Sequence, residues 1–551
     1  MSKQVSFATN SATPLQKGKA CINCRRRKIR CDGGHPICGQ CAKYSTAFSD
    51  CEYTENGPSH SQILEEQISI LQTRIEELEK PRPLRSSVAL SRPSMSRRHS
   101  GPPSPITPTN AVGLGSLLSR FYLEQTSGIA STEVSASMPT ELPFIVLQAL
   151  VHNFLHHASC FGFFLDTQAF HDAVTSTRGR DLPPVLLNVM YLWGIHLSKD
   201  ARVTAYEPAF LQHALRSTAG SLAGTHPRTI LHSMQASVLL AYYFVRNARF
   251  LESRYHISAA VSIALSAGLH RVRSAAQAGA GDRGVGVLPS GHAALPAPQS
   301  AAEEGERISA FWTVLTLNNC WAGTDGSPSN VSYGEGGLKI DTPWPLETTD
   351  YVERPHLLPL ESSGTVTKFL ADVPDAARSD AAIHAKASIL FEEASRIGYR
   401  TNGLASNDAE FSALDRAIDA LTPTLPAIRS KLLLVVHTLC HGAMIQLHRP
   451  LARERVVSRA KQLAAARAIV NILKKTDVPK VGLIDPVLAP LWTSACLVFI
   501  ADIAHNAASS PDSTSNAQVI IKSMEVFAPH CRLMRAQLDA IRQAYVNARK
   551  D

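Results

Sequence analysis

Six cysteines lie within thirty-one residues near the N-terminus, and their spacing is the strongest chemical signal in the chain. They form two groups of three: Cys21, Cys24 and Cys31, then Cys38, Cys41 and Cys51. Each group begins with a C-x2-C pair, whose two thiolates can reach one tetrahedral metal ion. Cys24 and Cys31 are about two helical turns apart, so a short helix could return a third sulfur to the ion. The spacing therefore predicts metal binding.

Three thiolates do not complete a tetrahedron, so each group is one ligand short. Two ions that share two bridging sulfurs would each have four ligands and would use all six cysteines. The alternatives are a disulfide framework, an iron–sulfur cluster, an RNA-binding zinc knuckle and a structural zinc site without nucleic acid contact. Residues 1–20 lack the apolar core of a signal peptide, which disfavours the disulfide framework.

A basic run, Arg25–Arg30, lies between the second and third cysteines. The chain has a formal net charge of +9, and counting residues 1–110 shows that they supply +7 of it. The remaining residues are close to neutral, so a polyanionic partner is addressed by the N-terminal fifth of the chain. A thiolate cage around a basic run predicts a metal-stabilised surface for nucleic acid.

Cys21 through Tyr53 resembles the zinc binuclear cluster domain of fungal transcription factors, in its cysteine spacing, its basic run and Pro36 between the two groups. The resemblance implies two Zn²⁺ ions, with Cys21 and Cys38 as bridging ligands. The implied ligand sets are Cys21, Cys24, Cys31 and Cys38 for one ion, and Cys21, Cys38, Cys41 and Cys51 for the other.

The resemblance also implies which residues contact DNA. A helix of the first half would enter the major groove, where Lys28 reaches a guanine edge with Arg27 beside it. Arg25 and Lys43 would contact phosphates, which set the register of the protein on DNA. The implied half-site is a CGG triplet. The implied function is sequence-specific regulation of RNA polymerase II transcription in the nucleus, without enzymatic activity.

A heptad pattern follows the cysteines, at Leu64, Ile68, Leu71, Ile75 and Leu78. Steps of four and three, with Ile at a and Leu at d, favour a parallel two-stranded coiled coil. The segment spans only about two and a half heptads, so a short amphipathic helix packed on its own chain remains the alternative. Placed just after the metal cluster, a coiled coil would join two chains and present two DNA half-sites.

The predicted organisation has five parts. They are a zinc cluster at 17–53, a linker at 54–62, a coiled coil at 63–80, a disordered linker rich in Ser, Pro and Arg at 81–135, and an all-helical regulatory domain at 136–551. Apolar residues recur at helical spacing through the last part, without alternating strand patterns, and the helices they predict include Val185–Leu197, Leu488–His505 and Val519–Val546. Gly268 is predicted to end the helix that contains Tyr255–Leu265, and Asn506–Asn516 are predicted to form a polar loop. Residues 271–302, rich in Ala, Gly and Pro, are predicted to form a flexible loop.

The helical part resembles, more diffusely, the middle homology domain that follows zinc clusters in the same family. The resemblance runs from Leu142 to Pro450, on Gly268-Leu269-His270, Glu306-Arg307 with Phe311-Trp312, and Leu447-His448-Arg449-Pro450. It implies a regulatory domain.

Five further cysteines are predicted to be buried free thiols: Cys160, Cys320, Cys440, Cys496 and Cys531. No membrane span is predicted, and Leu432–Leu447 comes nearest to one.

An enzyme is not indicated by any motif in the chain. His152 and His156 share a helical face, but no H-E-x-x-H sequence accompanies them. No nucleophile elbow or phosphate-binding loop is present. Two other functions stay open: an enzymatic or ligand-binding helical domain tethered to DNA, and a co-regulator that joins DNA-bound partners through its coiled coil.

Overall fold

The computed structural model of the protein describes residues 20–21, 24, 27–34, 37–43, 51, 144–175, 182–223, 227–275, 295–334, 336–400, 408–505 and 511–548. The chain divides into two units, Met1–Ser104 and Pro105–Asp551. The first unit contains helix α1, Gly39–Lys43. The predicted coiled coil and both predicted linkers lie outside the described residues.

The second unit is built from helices. In chain order they are α2 Phe144–Leu155, α3 Thr167–Thr175, α4 Pro184–His196, α5 Ala201–Thr204, α6 Glu207–Ala219, α7 Pro227–Arg246, α8 Phe250–Ser266, α9 Ala301–Asp325, α10 Asp350–Glu353, α11 Thr365–Leu370, α12 Asp380–Arg400, α13 Asp408–Leu421, α14 Lys431–His448, α15 Val456–Lys475, α16 Val478–Val481, α17 Leu488–His505, α18 Pro511–Phe527 and α19 Arg532–Asn547.

Short 3-10 turns connect several of these helices, at Ala158–Cys160, Ser221–Ala223, Leu269–Arg271, Pro355–Leu357, Thr422–Thr424, Arg449–Leu451 and Ala528–His530. Within the described part, β pairing is limited to an isolated parallel bridge between Ser274 and Ser362. The predicted all-helical layout is therefore confirmed for the described residues of the second unit.

The core of the second unit lies between long helices that are apolar on most of their surface. Helix α9 begins at an S-x-x-E pattern, in which the Ser300 hydroxyl accepts the Glu303 N–H at 3.1 Å. Its middle is buried on all sides, as expected for a central helix. Helix α12 packs between α9 and α14, and α7 packs along α8. These contacts make one continuous hydrophobic core.

Small residues set the closest approach between helices. A Cβ on Gly194 of α4 would lie 2.3 Å from the Leu150 carbonyl oxygen of α2, so only glycine fits there. Asn153 of α2 reinforces the contact by donating to the Gly194 carbonyl at 2.7 Å. At the end of α8, Gly268 has φ of 74°, the left-handed conformation that a helix stop favours. The predicted stop at Gly268 is therefore confirmed.

One predicted helix is wrong. The apolar pattern predicted a single helix over Val519–Val546, but α18 ends at Phe527 and α19 begins at Arg532. Pro529 lies in the turn between them; it has no N–H to donate and its ring would clash with the preceding helical turn. The polar loop predicted at residues 506–516 also extends too far, because α18 already begins at Pro511, a favoured first helical residue.

The loop predicted at residues 271–302 overlaps ordered structure at both ends. Arg271 closes a 3-10 turn, and Ser274 bridges to Ser362. At the other end, α9 starts at Ala301. Residues 276–294 lie outside the described part of the chain.

Helix α17 is the described helix whose length and composition would allow it to cross a membrane, with a mean hydropathy of 1.5. The sequence had indicated Leu432–Leu447 instead. Trp492 and Phe499 of α17 are fully buried, and the helix packs against α14, α15, α18 and α19. The burial of these side chains is typical of a core helix.

The five predicted buried thiols are confirmed as buried free cysteines. The Cys496 thiol donates to the Ala517 carbonyl, and the Cys531 thiol donates to the Arg246 carbonyl.

Candidate metal centre

The cysteines of the first unit form their own cluster. Cys21, Cys24 and Cys38 are fully buried, and Cys31 is almost so, while Cys41 and Cys51 are half-buried. Ala20 is the other apolar residue packed against them in the described part of this unit. The described core of this unit therefore consists of cysteine side chains. So small a unit cannot bury enough apolar surface to fold alone, and a metal centre would supply the missing stabilisation.

The sulfur positions fit tetrahedral zinc. A tetrahedral ion with Zn–S bonds of about 2.3 Å places its sulfurs about 3.8 Å apart. The Sγ–Sγ distances are 3.8 Å for Cys21–Cys38, 3.8 Å for Cys21–Cys41 and 3.6 Å for Cys24–Cys38.

Two sets of four sulfurs lie within 4.8 Å of one another: Cys21, Cys24, Cys31 and Cys38, and Cys21, Cys38, Cys41 and Cys51. These are the same two ligand sets that the resemblance implies, and Cys21 and Cys38 belong to both. In the described ranges no other group of metal-binding side chains comes within reach of one ion. Of the two histidines considered above, His152 lies in α2 and its ring meets that of His171 edge to face at 6.0 Å, whereas His156 follows the end of the helix.

Backbone amides support the sulfurs in a repeated pattern. The Cys24 N–H donates to the Cys21 sulfur at 3.4 Å, and the Cys41 N–H donates to the Cys38 sulfur at the same distance. The Cys38 N–H donates to the Cys51 sulfur at 3.2 Å. Each C-x2-C pair is thus a local turn in which the first sulfur accepts from the second cysteine. Donors of this kind stabilise the thiolate form that binds metal.

The two shared cysteines differ in acidity. Burial raises the pKa of Cys21, and raises that of Cys24 to about 12. Burial also disfavours the Cys38 thiolate, but the Cys41 N–H and the neighbouring thiols donate to it and lower the pKa of Cys38 to about 6. A metal ion binds thiolates and not thiols, so its binding releases the protons held by the other cysteines.

Asp32 connects the two halves of the cluster. Its carboxylate follows Cys31 and accepts the Gly39 N–H at 3.0 and 2.9 Å through its two oxygens. That N–H begins α1, the helix that carries Cys41. A Cβ on Gly39 would lie 2.3 Å from the Asp32 carboxylate, so glycine is required for this contact. We call the Asp32–Gly39 contact the aspartate clamp.

The basic run ends in an exposed turn. The Ile29 N–H donates to the Cys24 carbonyl at 3.1 Å, and Lys28 takes the left-handed conformation with φ of 52°. Arg27, Lys28 and Arg30 are exposed around it. The predicted short helix therefore does not continue to Cys31, because the chain from Ile29 to Gly34 is not helical.

Of the other two residues predicted to contact DNA, the structure describes Lys43 but not Arg25. Lys43 is the exposed last residue of α1. Arg25 and the predicted dimerisation residues, Leu64, Ile68, Leu71, Ile75 and Leu78, lie outside the described residues. Sequence reasoning missed Asp32 and Gly39. An Asp that begins a Gly-Gly turn, seven residues before a glycine, was the available signal, but it does not identify the partner of the carboxylate.

The residues that carry the diffuse resemblance in the second unit are structural anchors. The Trp312 indole donates to the Pro343 carbonyl at 2.7 Å and stacks on Trp344 with ring centroids 4.5 Å apart. His448 lies between Asp415 and Ser458, at 3.1 and 3.0 Å. The Trp312 contacts hold the Pro343–Trp344 loop against α9, and the His448 contacts join the end of α14 to α13 and α15.

Comparison with known proteins matches residues 19–58 to the fungal Zn(2)-Cys(6) binuclear cluster domain. A citrinin biosynthesis transcriptional activator of Monascus ruber is 34% identical over 87 residues, which are 15% of this chain and 17% of that protein. A sorbicillinoid biosynthetic cluster transcription factor of Hypocrea jecorina is 29% identical over 118 residues, 21% of this chain and 15% of that protein.

A chromatin structure-remodeling complex protein of Saccharomyces cerevisiae is 50% identical over 44 residues, 8% of this chain and 5% of that protein. The matches to these three relatives therefore cover less than one fifth of each relative's length. No solved structure matches the chain. The sulfur geometry and the family match agree, and residues 19–58 belong to the fungal Zn(2)-Cys(6) binuclear cluster family, a domain that binds two zinc ions.

Proposed function

We propose that this chain is a zinc-dependent, sequence-specific DNA-binding transcription factor that acts in the nucleus on genes transcribed by RNA polymerase II. The observation that carries the proposal is the exposed basic turn, Arg27 and Lys28, which is closed by a backbone bond to the buried ligand-type residue Cys24. A metal-fixed turn of this kind can present its cations at a defined place on a DNA groove.

The proposed metal ligands follow the two sets of sulfurs. Cys21 and Cys38 bridge the ions; Cys24 and Cys31 complete one site, and Cys41 and Cys51 complete the other. In this arrangement each bridging thiolate shares its charge between two cations. Replacing a bridging cysteine therefore removes a ligand from both ions, whereas replacing Cys31 removes a ligand from only one.

The proposed DNA contacts divide into two kinds. Lys28, with Arg27 beside it, donates to the guanine O6 and N7 acceptors of a CGG half-site. Arg25 and Lys43 contact phosphates. Because phosphate contacts carry no sequence information, their loss weakens all duplexes alike.

Dimerisation is proposed through the heptad residues Leu64, Ile68, Leu71, Ile75 and Leu78. Two chains joined there would bind two half-sites, whose spacing the linker at 54–62 would set. The remaining helical unit is proposed to regulate activity without catalysing a reaction. Two of the relatives are named as transcription factors or activators of biosynthesis, which supports a role in transcription for this chain.

Selection of bound sites from random duplex DNA by the full chain tests the proposal, with Leu71→Lys as the companion variant. We expect paired CGG triplets from the natural chain. We expect single triplets from the variant, which also sediments as a monomer because a charge at a d position opposes pairing. Enrichment of no common sequence by the natural chain would contradict the proposal.

One observation favours a second candidate, a co-regulator that joins DNA-bound partners through its coiled coil. The match of highest identity among the three relatives is to a protein named as part of a chromatin structure-remodeling complex. A co-regulator of this kind would bind no duplex as a purified dimer, so the same selection experiment separates the two candidates.

A further inference from the structure

A basic and aliphatic surface lies where α14 is joined to α15. Arg449 begins the 3-10 turn after α14, and Arg453 and Arg455 follow it, all three exposed. Val456 and Val457, the first residues of α15, are 83% and 69% exposed. We call these five residues the arginine–valine surface. Single exposed apolar residues are common, but here two exposed valines directly follow three exposed arginines within nine residues of the chain.

The positive charge of this surface exceeds its negative charge, since the exposed Glu454 between Arg453 and Arg455 is the one acid in the segment Arg449–Val457. Arg449, Arg453 and Arg455 form no ion pair with a carboxylate in the described part of the chain. Two acids of α13, Asp415 and Asp419, are engaged by Lys461 at 2.6 and 2.9 Å. Three guanidinium groups are therefore available to an external anion.

Arg455 stands where it opposes the stability of α15. Arg455 occupies the position before the first helical residue, and no side chain caps the helix there. The positive end of the helix dipole disfavours a cation at this end, and Arg455 and Arg459, four residues apart, repel each other. A chain that breaks a local rule of helix stability commonly does so at a functional site.

The surface is held rigidly. The Arg455 N–H donates to the Leu451 carbonyl at 2.8 Å, which closes the turn. His448 contacts the Ser458 hydroxyl at 3.0 Å, and Gln462 donates to the Ile445 carbonyl at 2.9 Å. These bonds fasten the start of α15 to the end of α14. A partner would lose little conformational freedom of this surface on binding, which favours affinity.

We propose that the arginine–valine surface docks an acidic peptide segment with aliphatic side chains, supplied by another protein. Carboxylates of the segment pair with the arginines, which present planar donor groups suited to them. Its aliphatic side chains cover Val456 and Val457 and remove them from water. This inference concerns the helical unit and does not depend on the DNA-binding proposal.

Charge and apolarity together select this occupant over two others. A nucleic acid backbone would satisfy the arginines but would offer no apolar surface to the valines. A second copy of this chain, related by a two-fold axis, would place arginines of one copy against arginines of the other. An acidic, aliphatic peptide complements both features of the surface.

Fluorescence anisotropy with the full chain tests this proposal, using two labelled peptides of equal negative charge. One contains Glu and Leu, with Leu at helical spacing; the other has Ser in place of Leu. We expect the full chain to prefer the Leu peptide. Arg453→Glu with Arg455→Glu should weaken its binding about tenfold, and Val456→Ser with Val457→Ser should reduce the preference for Leu about tenfold.

Arg467→Glu is the matched control, because Arg467 is also exposed on α15 but lies farther along the helix. It should leave binding of both peptides unchanged. Equal binding of the two peptides, or a valine variant with unaltered preference, would show a general polyanion site and overturn the proposal. So would an equal loss in the Arg467 variant, or self-association of the natural chain that the arginine variant abolishes.

Discussion

Lys28 combines an unfavourable backbone conformation with a side chain that the proposed function requires. Its φ of 52° lies in the left-handed region, which costs a residue with a Cβ about 1–2 kcal/mol. Glycine would end the turn from Cys24 at lower cost. The presence of lysine at this position is consistent with a direct role of its amine in recognition.

Replacing Lys28 by Ala or by Gly separates the side chain from the backbone. Both variants should lose about 1–3 kcal/mol of preference for CGG over a permuted triplet, because both lack the amine. Only the Gly variant should gain stability, by about 1 kcal/mol, because it relieves the backbone. Equilibrium binding to the two duplexes measures the preference, and competition with a chelator measures the stability of the zinc-bound first unit.

Lys43→Ala supplies the comparison for Lys28. It should weaken binding to both duplexes equally and reduce the slope of log affinity against log salt by about one. Preserved discrimination in the Lys28→Ala variant would show that another residue reads the bases.

Asp485 is a buried acid that the proposed function does not use. Its carboxylate accepts the Tyr242 hydroxyl at 3.2 Å and the Val487 N–H at 2.8 Å. Burial raises its pKa from 3.8 to about 6. The folded chain therefore binds a proton between about pH 4 and 6 that the unfolded chain does not, and stability falls as pH rises through this window.

Asp485→Asn should remove this dependence on pH. The uncharged amide has no titration, so the variant should be more stable than the natural chain at neutral pH, by up to about 3 kcal/mol, and similar to it at about pH 4. Denaturant unfolding across this range measures the difference. Asp477→Asn, at an exposed position, is the control. An identical slope in Asp485→Asn and the natural chain would refute the assignment.

At the scale of elements, α1 is too short to be stable on its own, and its position depends on contacts at its ends. Cys38 and Cys41 hold it from the metal side, and the aspartate clamp holds its first N–H. The clamp thereby couples the residue after Cys31 in one half to the helix of the other. This arrangement gives Asp32 a positioning role for ligands it does not touch.

Asp32→Ala should lower zinc affinity about 10- to 100-fold, the usual effect of removing an outer support of metal ligands. Asp32→Asn should lower it less, because its amide keeps one oxygen acceptor. Competition with a chromophoric chelator measures affinity, and the absorption of the cobalt-substituted protein reports ligand geometry. Unchanged zinc affinity in Asp32→Ala would show that Asp32 does not position the metal ligands.

Substitutions at Gly39 and Gly34 form a matched pair that tests the aspartate clamp independently. A Cβ on Gly39 would lie 2.3 Å from the Asp32 carboxylate, whereas one on Gly34 would approach no atom closer than 3.5 Å. Gly39→Ala should therefore reproduce the loss seen in Asp32→Ala, and Gly34→Ala should leave zinc affinity unchanged. Equal effects of the two substitutions would indicate general strain in the loop.

The sequence predicted some elements of the structure well and missed others, for physical reasons. Cysteine spacing and long apolar periodicity are local signals, so the ligand-type residues and helices such as α4 and α17 were identified close to their bounds. Helices α3 and α6 were missed because their apolar stripes are short, whereas α13 was missed although Phe411, Leu414, Ile418 and Leu421 recur in it at helical spacing. The aspartate clamp was missed because it joins residues across a turn, and periodicity does not report such contacts.

At the scale of the whole molecule, the two units depend on different forces. The second unit buries large side chains such as Trp193, Phe391 and Trp492 in one hydrophobic core. The described core of the first unit consists of cysteines. Because metal binding is folding energy for a unit without an apolar core, only the first unit should require zinc.

A chelator should therefore abolish the function of the first unit and leave the second unit folded. We expect DNA binding to be lost while the helical circular dichroism signal and its main thermal transition persist, since the second unit provides both. Added zinc should restore binding. Loss of the helical signal on chelation would show that the second unit also depends on metal.

The most direct test of the central claim is the affinity of the full chain for a CGG duplex and for a permuted duplex, measured with zinc, after chelation and after zinc is returned. We expect a preference for the CGG duplex with zinc, no preference after chelation and recovery of the preference when zinc is returned. Equal affinity for the two duplexes in the zinc-loaded protein, or a CGG preference that survives chelation, would contradict the claim.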